Sequence, residues 1–165
     1  MEIREFDPLR DRQAVRLCFV ELQDFERNLD PRVPPGEHVA DTYLDLMFQR
    51  CREFAGVVLV AEMDQRVVGF ATIWTRYRSH EPDDDPAEHG YVSDLIVSAT
   101  HRGRGIGRRL LRAAEALARE AGARTIRLSV KAGNAGARSL YAAEGLEEAE
   151  IYLEKPLGQA GNRAP

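Results

Sequence analysis

The stretch His101-Arg102-Gly103-Arg104-Gly105-Ile106-Gly107 decides how this chain is read. Before it, residues 91–97 (Tyr-Val-Ser-Asp-Leu-Ile-Val) have the composition of a strand. After it, Ile106, Leu110, Ala114, Leu117 and Ala121 recur at helical spacing until Gly122, which is placed to end a helix. Glycine lets the loop turn tightly and bring its backbone close to a ligand. A helix start adds unpaired N–H groups and the positive end of the helix dipole. Strand, glycine loop and helix start together form an anion site, most naturally for phosphate. Arg102, Arg104, Arg108 and Arg109 add side-chain charge. Two familiar phosphate loops do not fit. A Walker loop needs a GK[ST] ending, and no lysine follows here. A dinucleotide fingerprint needs GxGxxG and an acid about 20 residues on, whereas the spacing is GxGxG and the corresponding position, near Ala123, carries no acid.

Working outward, residues 126–130 read as a strand, 135–144 as a helix closed by Gly145, and 146–156 as one or two final strands. Residues 158–165 read as a flexible tail, leaving a domain over residues 1–157. Upstream, residues 57–63, apolar but for Glu62, read as a strand buried on both faces. The turn Asp64-Gln65 leads from it into a second strand over 66–77. Residues 10–26 and 38–54 show helical periodicity, with Ala14, Leu17, Cys18, Leu22 and Phe25 on one face and Tyr43, Leu44, Met47 and Cys51 on the other helix's face. The proline-rich stretch 28–37 is a loop between them, and residues 2–6 form a short first strand. The order β-α-α-β-β-β-α-β-α-β, without repeat or linker, is a single α/β (α+β) domain on a mixed sheet.

The chain has 165 residues, enough for a core without disulfide or metal staples. Hydrophobic residues at 44% and charged residues at 30% exclude a disordered polymer. The formal net charge of −4 argues against nucleic-acid binding by bulk charge. That total averages two opposed regions. Residues 101–112 hold five arginines and no acid, while residues 81–88 hold five acids and no base and read as an exposed loop. Arginine supplies 21 of the 23 basic side chains. Cys18 and Cys51 belong to no metal-ligand spacing and read as reduced thiols. The charged N-terminus is unlike a signal peptide, and the longest apolar run is too short to span a bilayer. The expectation is a cytoplasmic protein with no membrane or nucleic-acid partner and no metal.

A second motif narrows the phosphate ligand. Asn134-Ala135-Gly136-Ala137-Arg138-Ser139-Leu140-Tyr141-Ala142-Ala143-Glu144-Gly145-Leu146 follows the strand at 126–130. With it, the chain resembles the GNAT superfamily of acyl-CoA-dependent N-acetyltransferases. The family pattern [RQ]xxGxG/A is matched by Arg102, Gly105 and Gly107. The pattern NxxAxxLYxxxGF is matched by Asn134, Ala137, Leu140, Tyr141 and Gly145, with Leu146 in place of the last Phe. The match is specific over about residues 90–157 and topological before that.

The resemblance implies a mostly antiparallel sheet whose fourth strand splays from the fifth, with acetyl-CoA in the gap. The backbone of Leu95, Ile96 and Val97 is then expected to pair with the pantetheine arm. The N–H groups from Arg102 through Gly103, Arg104, Gly105 and Ile106 to Gly107 are expected to hold the pyrophosphate, with Arg108 adding charge. Asn134 would bond the pantetheine, and Ala137 would let the cofactor pass close. The implied activity is acetyl transfer to a primary amine by direct attack in a ternary complex. A free alkylamine, with a pKa of about 10.4, is almost wholly protonated at pH 7, so a base is useful. Tyr141 matches the family's tyrosine and is the expected general acid to the leaving thiolate. Asp94, the acid on the fourth strand, is the candidate base, with Ser93 able to orient water. Strand alternation puts Val92, Asp94 and Ile96 on one face and Tyr91, Ser93, Leu95 and Val97 on the other. A backbone N–H at Ile96 or Val97 is expected to face the oxyanion. His89 and His101 read as exposed histidines.

Family pockets for the acceptor are lined by the first two helices and the last strands, here about residues 22–37 and 147–152. Their acids, Asp24, Glu26, Asp30, Glu37, Glu147, Glu148 and Glu150, suit a small cationic amine. The alternatives are a protein N-terminal or lysine acetyltransferase, a non-catalytic acyl-CoA sensor, and a nucleotide-binding domain. Members are often dimers, so a homodimer is the default expectation.

Overall fold

We describe a computed structural model, which covers residues 1–79, 81–83 and 85–157; the tail expected at 158–165 lies outside these described residues. The elements run β1 (Glu2–Glu5), α1 (Arg12–Leu29), α2 (Gly36–Glu53), β2 (Gly56–Met63), β3 (Arg66–Tyr77), β4 (His89–Val97), a 3-10 turn (Ala99–His101), α3 (Ile106–Glu120), β5 (Ile126–Leu128) and α4 (Ala135–Ala143). One five-stranded sheet takes the order β1-β2-β3-β4-β5. All neighbours are antiparallel except β4 and β5, which run parallel.

Helices cover both faces of the sheet, which explains why β2 reads as an unbroken apolar run from Val57 to Ala61. Leu59, Ala61, Ala71, Ile73 and Val92 pack under Ile106, Leu110, Leu111 and Ala114 of α3. Val58, Val60, Phe70 and Ile96 pack on the opposite face under Val15, Phe19, Ala40 and Leu44 of α1 and α2. Alternate residues of one strand therefore serve different helices, and none needs to be polar. Cys18 and Cys51 are both free, and burial pushes each thiol up to about 11. No helix among the described residues is long and apolar enough to cross a membrane.

Three sequence expectations are corrected. The stretch 146–156 forms no strand, and among its residues Ile151, Tyr152 and Leu153 lie 70–90% exposed. Acids interrupt its apolar pattern, and two of them take ionic partners instead of a ladder. Glu148 pairs with Arg138, and Glu154 with Arg32 in the α1–α2 loop. His89 is not exposed: it is 1% accessible and packs edge-on against Tyr77. The simple alternation along β4 also fails. Thr72 pairs with Asp94 and Ile73 with Val92, so Ser93 is a bulge. Val92 consequently shares the α3 side with Leu95 and Val97, while Ile96 faces α1 and α2.

β1 is fastened to the start of α1 by a nearly buried ion pair. Arg4 donates to both oxygens of Asp11 (2.6 and 2.8 Å) and to Glu62, and the Asp7 backbone N–H also donates to Asp11. The Asp11 carboxylate is 1% exposed, and the Arg4 hydrogen bonds hold its pKa below the ordinary carboxylate value. Its contribution is thus present above the unfolded pKa of about 3.9 and is lost as pH falls through the lowered folded value. Asp11→Asn removes one of the two carboxylates that hold Arg4, leaving Glu62 as the other, and is expected to destabilise the fold by about 2 kcal/mol at pH 7. In urea titrations the gap to the unaltered protein should narrow toward pH 3; a gap independent of pH would contradict this assignment.

Candidate active site

β4 is paired with β5 only from Gly90 to Val92, so from the Ser93 bulge onward its second edge is open. The ladder with β3 fixes which residues face that edge. Ser98 donates its backbone N–H to Val68 O, which makes this a hydrogen-bonded pair. By antiparallel alternation Ile96 and Asp94 also bond to β3, while Leu95 and Val97 turn their N–H and C=O groups toward the open edge. The Val97 carbonyl there accepts from Arg102 Nε at 2.9 Å. Of the two N–H groups expected to face an oxyanion, Val97 therefore points to the gap and Ile96 does not. Leu95 joins Val97.

The open edge leads directly to the glycine loop. Gly103 and Gly105 have φ of +74° and +76°, a conformation that L side chains rarely adopt, and a Cβ on either would meet no atom. Their requirement is thus backbone conformation, not space. Gly105 caps α3 without a side-chain hydrogen bond, so the N–H groups of the first turn have no protein side chain as acceptor there. Gly107 is different: a Cβ would approach Leu140 to 3.2 Å, so it is needed for α3 to pack on α4.

The arginines around this loop have separate roles. Arg102 lies back over β4, with its guanidinium 5.3 Å from the Phe25 ring and 3.5 Å from Glu21. Arg108 and Arg112 both hold Glu144, each at 2.6 Å. Arg138 holds Glu148. Arg104 is exposed. Asn134 is the N-cap of α4: its side-chain oxygen accepts from the Ala137 N–H at 3.1 Å, which leaves the amide N–H groups to donate elsewhere. Ala137 is half-buried on the same first turn.

Tyr141 lies on α4 and packs against the α3-side core. Among the described residues no side chain hydrogen-bonds its hydroxyl, unlike those of Tyr43 and Tyr91. Burial, with help from the charge of Glu26, pushes it up to about 12, so it stays protonated at neutral pH.

Asp94 is buried, and its oxygens accept from Tyr43 (2.6 Å) and Ser93 (2.8 Å). Burial raises its pKa; the hydrogen bonds from Tyr43, Ser93 and Thr72 and the charge of Arg50 act in the opposite direction. Asp94 does not itself line the cavity beside it. That cavity, about 460 Å³, is lined by Tyr43, Arg50, Glu53, Phe54, Trp74, Tyr77, Tyr91 and Ser93. Asp94 therefore reaches the cavity through two hydroxyls, one on α2 and one on the bulge. Glu26 of α1 is half-buried, with its pKa raised first by burial and then by the charge of Asp94.

The structure thus brings Asp94, Ser93, Leu95, Val97 and the glycine loop into one continuous strand-to-helix line, and Glu26 within electrostatic range of Asp94 and Tyr141. Sequence reasoning missed Tyr43, placing it only on an apolar helix face, and missed the aromatic cavity. Neither has a local motif, since α2, β3 and β4 each contribute to them. Among the described residues no three His, Cys, Asp or Glu side chains group as a metal site requires.

Comparison with known proteins gives the same outline. The profile of the acetyltransferase (GNAT) family matches residues 21–146. An L-2,4-diaminobutyric acid acetyltransferase of Nocardia farcinica is 30% identical over 79% of this chain and 64% of its own length, so this chain spans just under two thirds of that relative. An aminoglycoside N(6')-acetyltransferase of Stenotrophomonas maltophilia is 30% identical over 72% of this chain and 78% of its own. An aminoglycoside N-acetyltransferase solved in complex with CoA superposes with a TM-score of 0.66 at 18% identity, covering 94% of this chain and 99% of that one.

Proposed function

The chain belongs to the acetyltransferase (GNAT) family, and from that premise we propose that it transfers the acetyl group of acetyl-CoA to a primary amine of a small cationic molecule, by direct attack in a ternary complex. The observation that carries this reading is the open edge of β4, which ends at the glycine start of α3. A strand-like pantetheine arm fits the N–H and C=O groups of Leu95 and Val97. A pyrophosphate fits the first-turn N–H groups and Arg104. Both relatives named above carry acceptors with amino groups in their names, which supports an amine acceptor here.

Acetyl-CoA supplies the thioester carbonyl. The chain does the rest. The cavity receives the amine, and Ser93 Oγ accepts an amine proton while passing its own to Asp94 Oδ2. Tyr43 stays hydrogen-bonded to Oδ1 and holds the carboxylate in line. The Val97 or Leu95 N–H steadies the carbonyl oxygen as it gains charge. Tyr141 donates its O–H toward sulfur as the C–S bond breaks. With its pKa near 12, roughly three units above a free thiol, Tyr141 stabilises the departing sulfur chiefly as a hydrogen-bond donor.

Calorimetric titration with acetyl-CoA tests the cofactor half of this reading. One-to-one binding is expected, and absence of binding would contradict it. Gly105→Ala forces an L residue into the left-handed region at a cost of about 1–2 kcal/mol. If the loop relaxes to avoid it, its N–H groups turn from the pyrophosphate, and Kd should rise about tenfold. Binding without turnover of any amine would favour the acyl-CoA sensor.

A further inference from the structure

The cavity that Asp94 reaches through Ser93 and Tyr43 carries a charge the proposed chemistry does not use. Arg50, in the last turn of α2, lines it. Its guanidinium lies over the Trp74 ring, 5.4 Å from the centroid. Among the described residues it forms no ion pair with a carboxylate, although Glu53 lies one turn further along the same helix. Of the other four arginines of α1 and α2, two find acids: Arg12 pairs with Asp45, and Arg16 with Glu37 and Asp41. Stacking on an indole fixes the plane of a guanidinium while leaving its N–H edge free. That edge matches a carboxylate in a bidentate fork.

The cavity carries charge of both signs. Arg50 and Glu53 of α2 line it, and the charge of Arg50 acts on Tyr43 and Asp94. Ser93 and Tyr43 line it at the β4 bulge and both hydrogen-bond Asp94, whose charge in turn acts on Glu26. The rings of Phe54, Trp74, Tyr77 and Tyr91, with centroids 5.2–5.6 Å apart and planes inclined by 21–65°, make up an aromatic part of the lining. A volume of about 460 Å³ admits one small molecule. An amine alone meets Arg50 as a like charge. An amine that also bears a carboxylate has two points of attraction, its amino group to Ser93 and Asp94 and its carboxylate to the exposed guanidinium of Arg50.

We propose that the acceptor is an amino acid or a close relative, with its carboxylate held by Arg50 beside Trp74 and its reacting amine presented to Ser93 at the β4 bulge. This rests on the acetyl-transfer reading above and adds the class of acceptor and the residue that selects it. A bare polyamine is then a poor substrate despite its greater positive charge.

The test compares matched acceptors that differ only by the carboxylate: 2,4-diaminobutyrate with 1,3-diaminopropane, and lysine with cadaverine. Thiol release from acetyl-CoA is followed over a range of acceptor concentrations. The carboxylated member of at least one pair should lead by about tenfold or more in kcat/KM, with the difference in KM. In Arg50→Gln that preference should fall to near one. In Arg50→Lys, which keeps the charge and loses the fork, it should be intermediate. Equal use of both members by the unaltered protein, or a preference that survives Arg50→Gln, would overturn the proposal while leaving amine acetylation standing. Thiol release with no amine at all, although acetyl-CoA binds, would instead remove the reading on which it rests, and this proposal with it.

Discussion

Asp94→Asn is expected to lower kcat by about 10²–10⁴-fold, the usual span for loss of a positioned base, without weakening the fold. The two halves of that expectation have one cause. Asp94 sits beneath α2 with both oxygens accepting hydrogen bonds, and burial raises its pKa. A carboxylate so placed is a better base than an exposed one, and it costs stability whenever it is ionised. The folded pKa lies above the unfolded value, so the protein is relatively favoured at low pH and disfavoured as pH rises through the folded value. Asn removes the charge while its oxygen still accepts from Tyr43 and its amide can donate to Ser93. At pH 7 the variant should melt at or above the temperature of the unaltered protein, with the difference shrinking in acid. The acidic limb of the kcat profile, set above the ordinary carboxylate range, should vanish with the substitution. An unchanged kcat would remove Asp94 from the reaction. A clear fall in melting temperature would mean that the carboxylate is there for packing.

Tyr141→Phe should lower kcat by about 10²-fold, at the lower end of the same span, with little change in acetyl-CoA affinity. Packing is retained, since Tyr141 packs against the core around α3 and Phe keeps its ring. A loss confined to kcat is therefore a loss at the leaving sulfur. An acetyl thioester of a more acidic thiol needs less help to depart. If Tyr141 acts as donor, the defect should shrink on such a substrate. The same defect on both thioesters would assign Tyr141 to binding or packing instead.

Much of this arrangement was legible in the sequence because it is local. The glycine loop, the helix after it and the Asn134-to-Gly145 motif each occupy one continuous segment, and the structure builds Gly105 as the cap of α3 and Asn134 as the cap of α4. The buried run over β2 was readable for the same reason. What sequence could not give depended on register. One extra residue at Ser93 moves Val92 to the opposite side from the one alternation predicts, and no residue type announces that bulge. The Tyr43–Asp94 hydrogen bond joins positions 51 residues apart. Arg50 on Trp74 is equally non-local. The stretch 146–156 failed in another way: its Ile, Tyr and Leu carry strand propensity, but its acids find arginines on α4 and in the α1–α2 loop before any strand accepts it.

The opposed charges noted in the sequence also resolve into distinct duties. Of the five arginines in residues 101–112, two hold Glu144 and one braces β4, so the proposed pyrophosphate site would rely on backbone N–H groups more than on side-chain charge. A substitution of Arg108 accordingly tests the attachment of α4 through Glu144 before it tests the cofactor.

The most direct measurement is acceptor-dependent release of free thiol from acetyl-CoA by the purified protein, with the acetylated amine quantified by mass in the same reaction. The account predicts one equivalent of N-acetylated product per thiol released, and loss of both signals together in Asp94→Asn. Thiol release that is independent of any amine, or no release while acetyl-CoA binds, would contradict it.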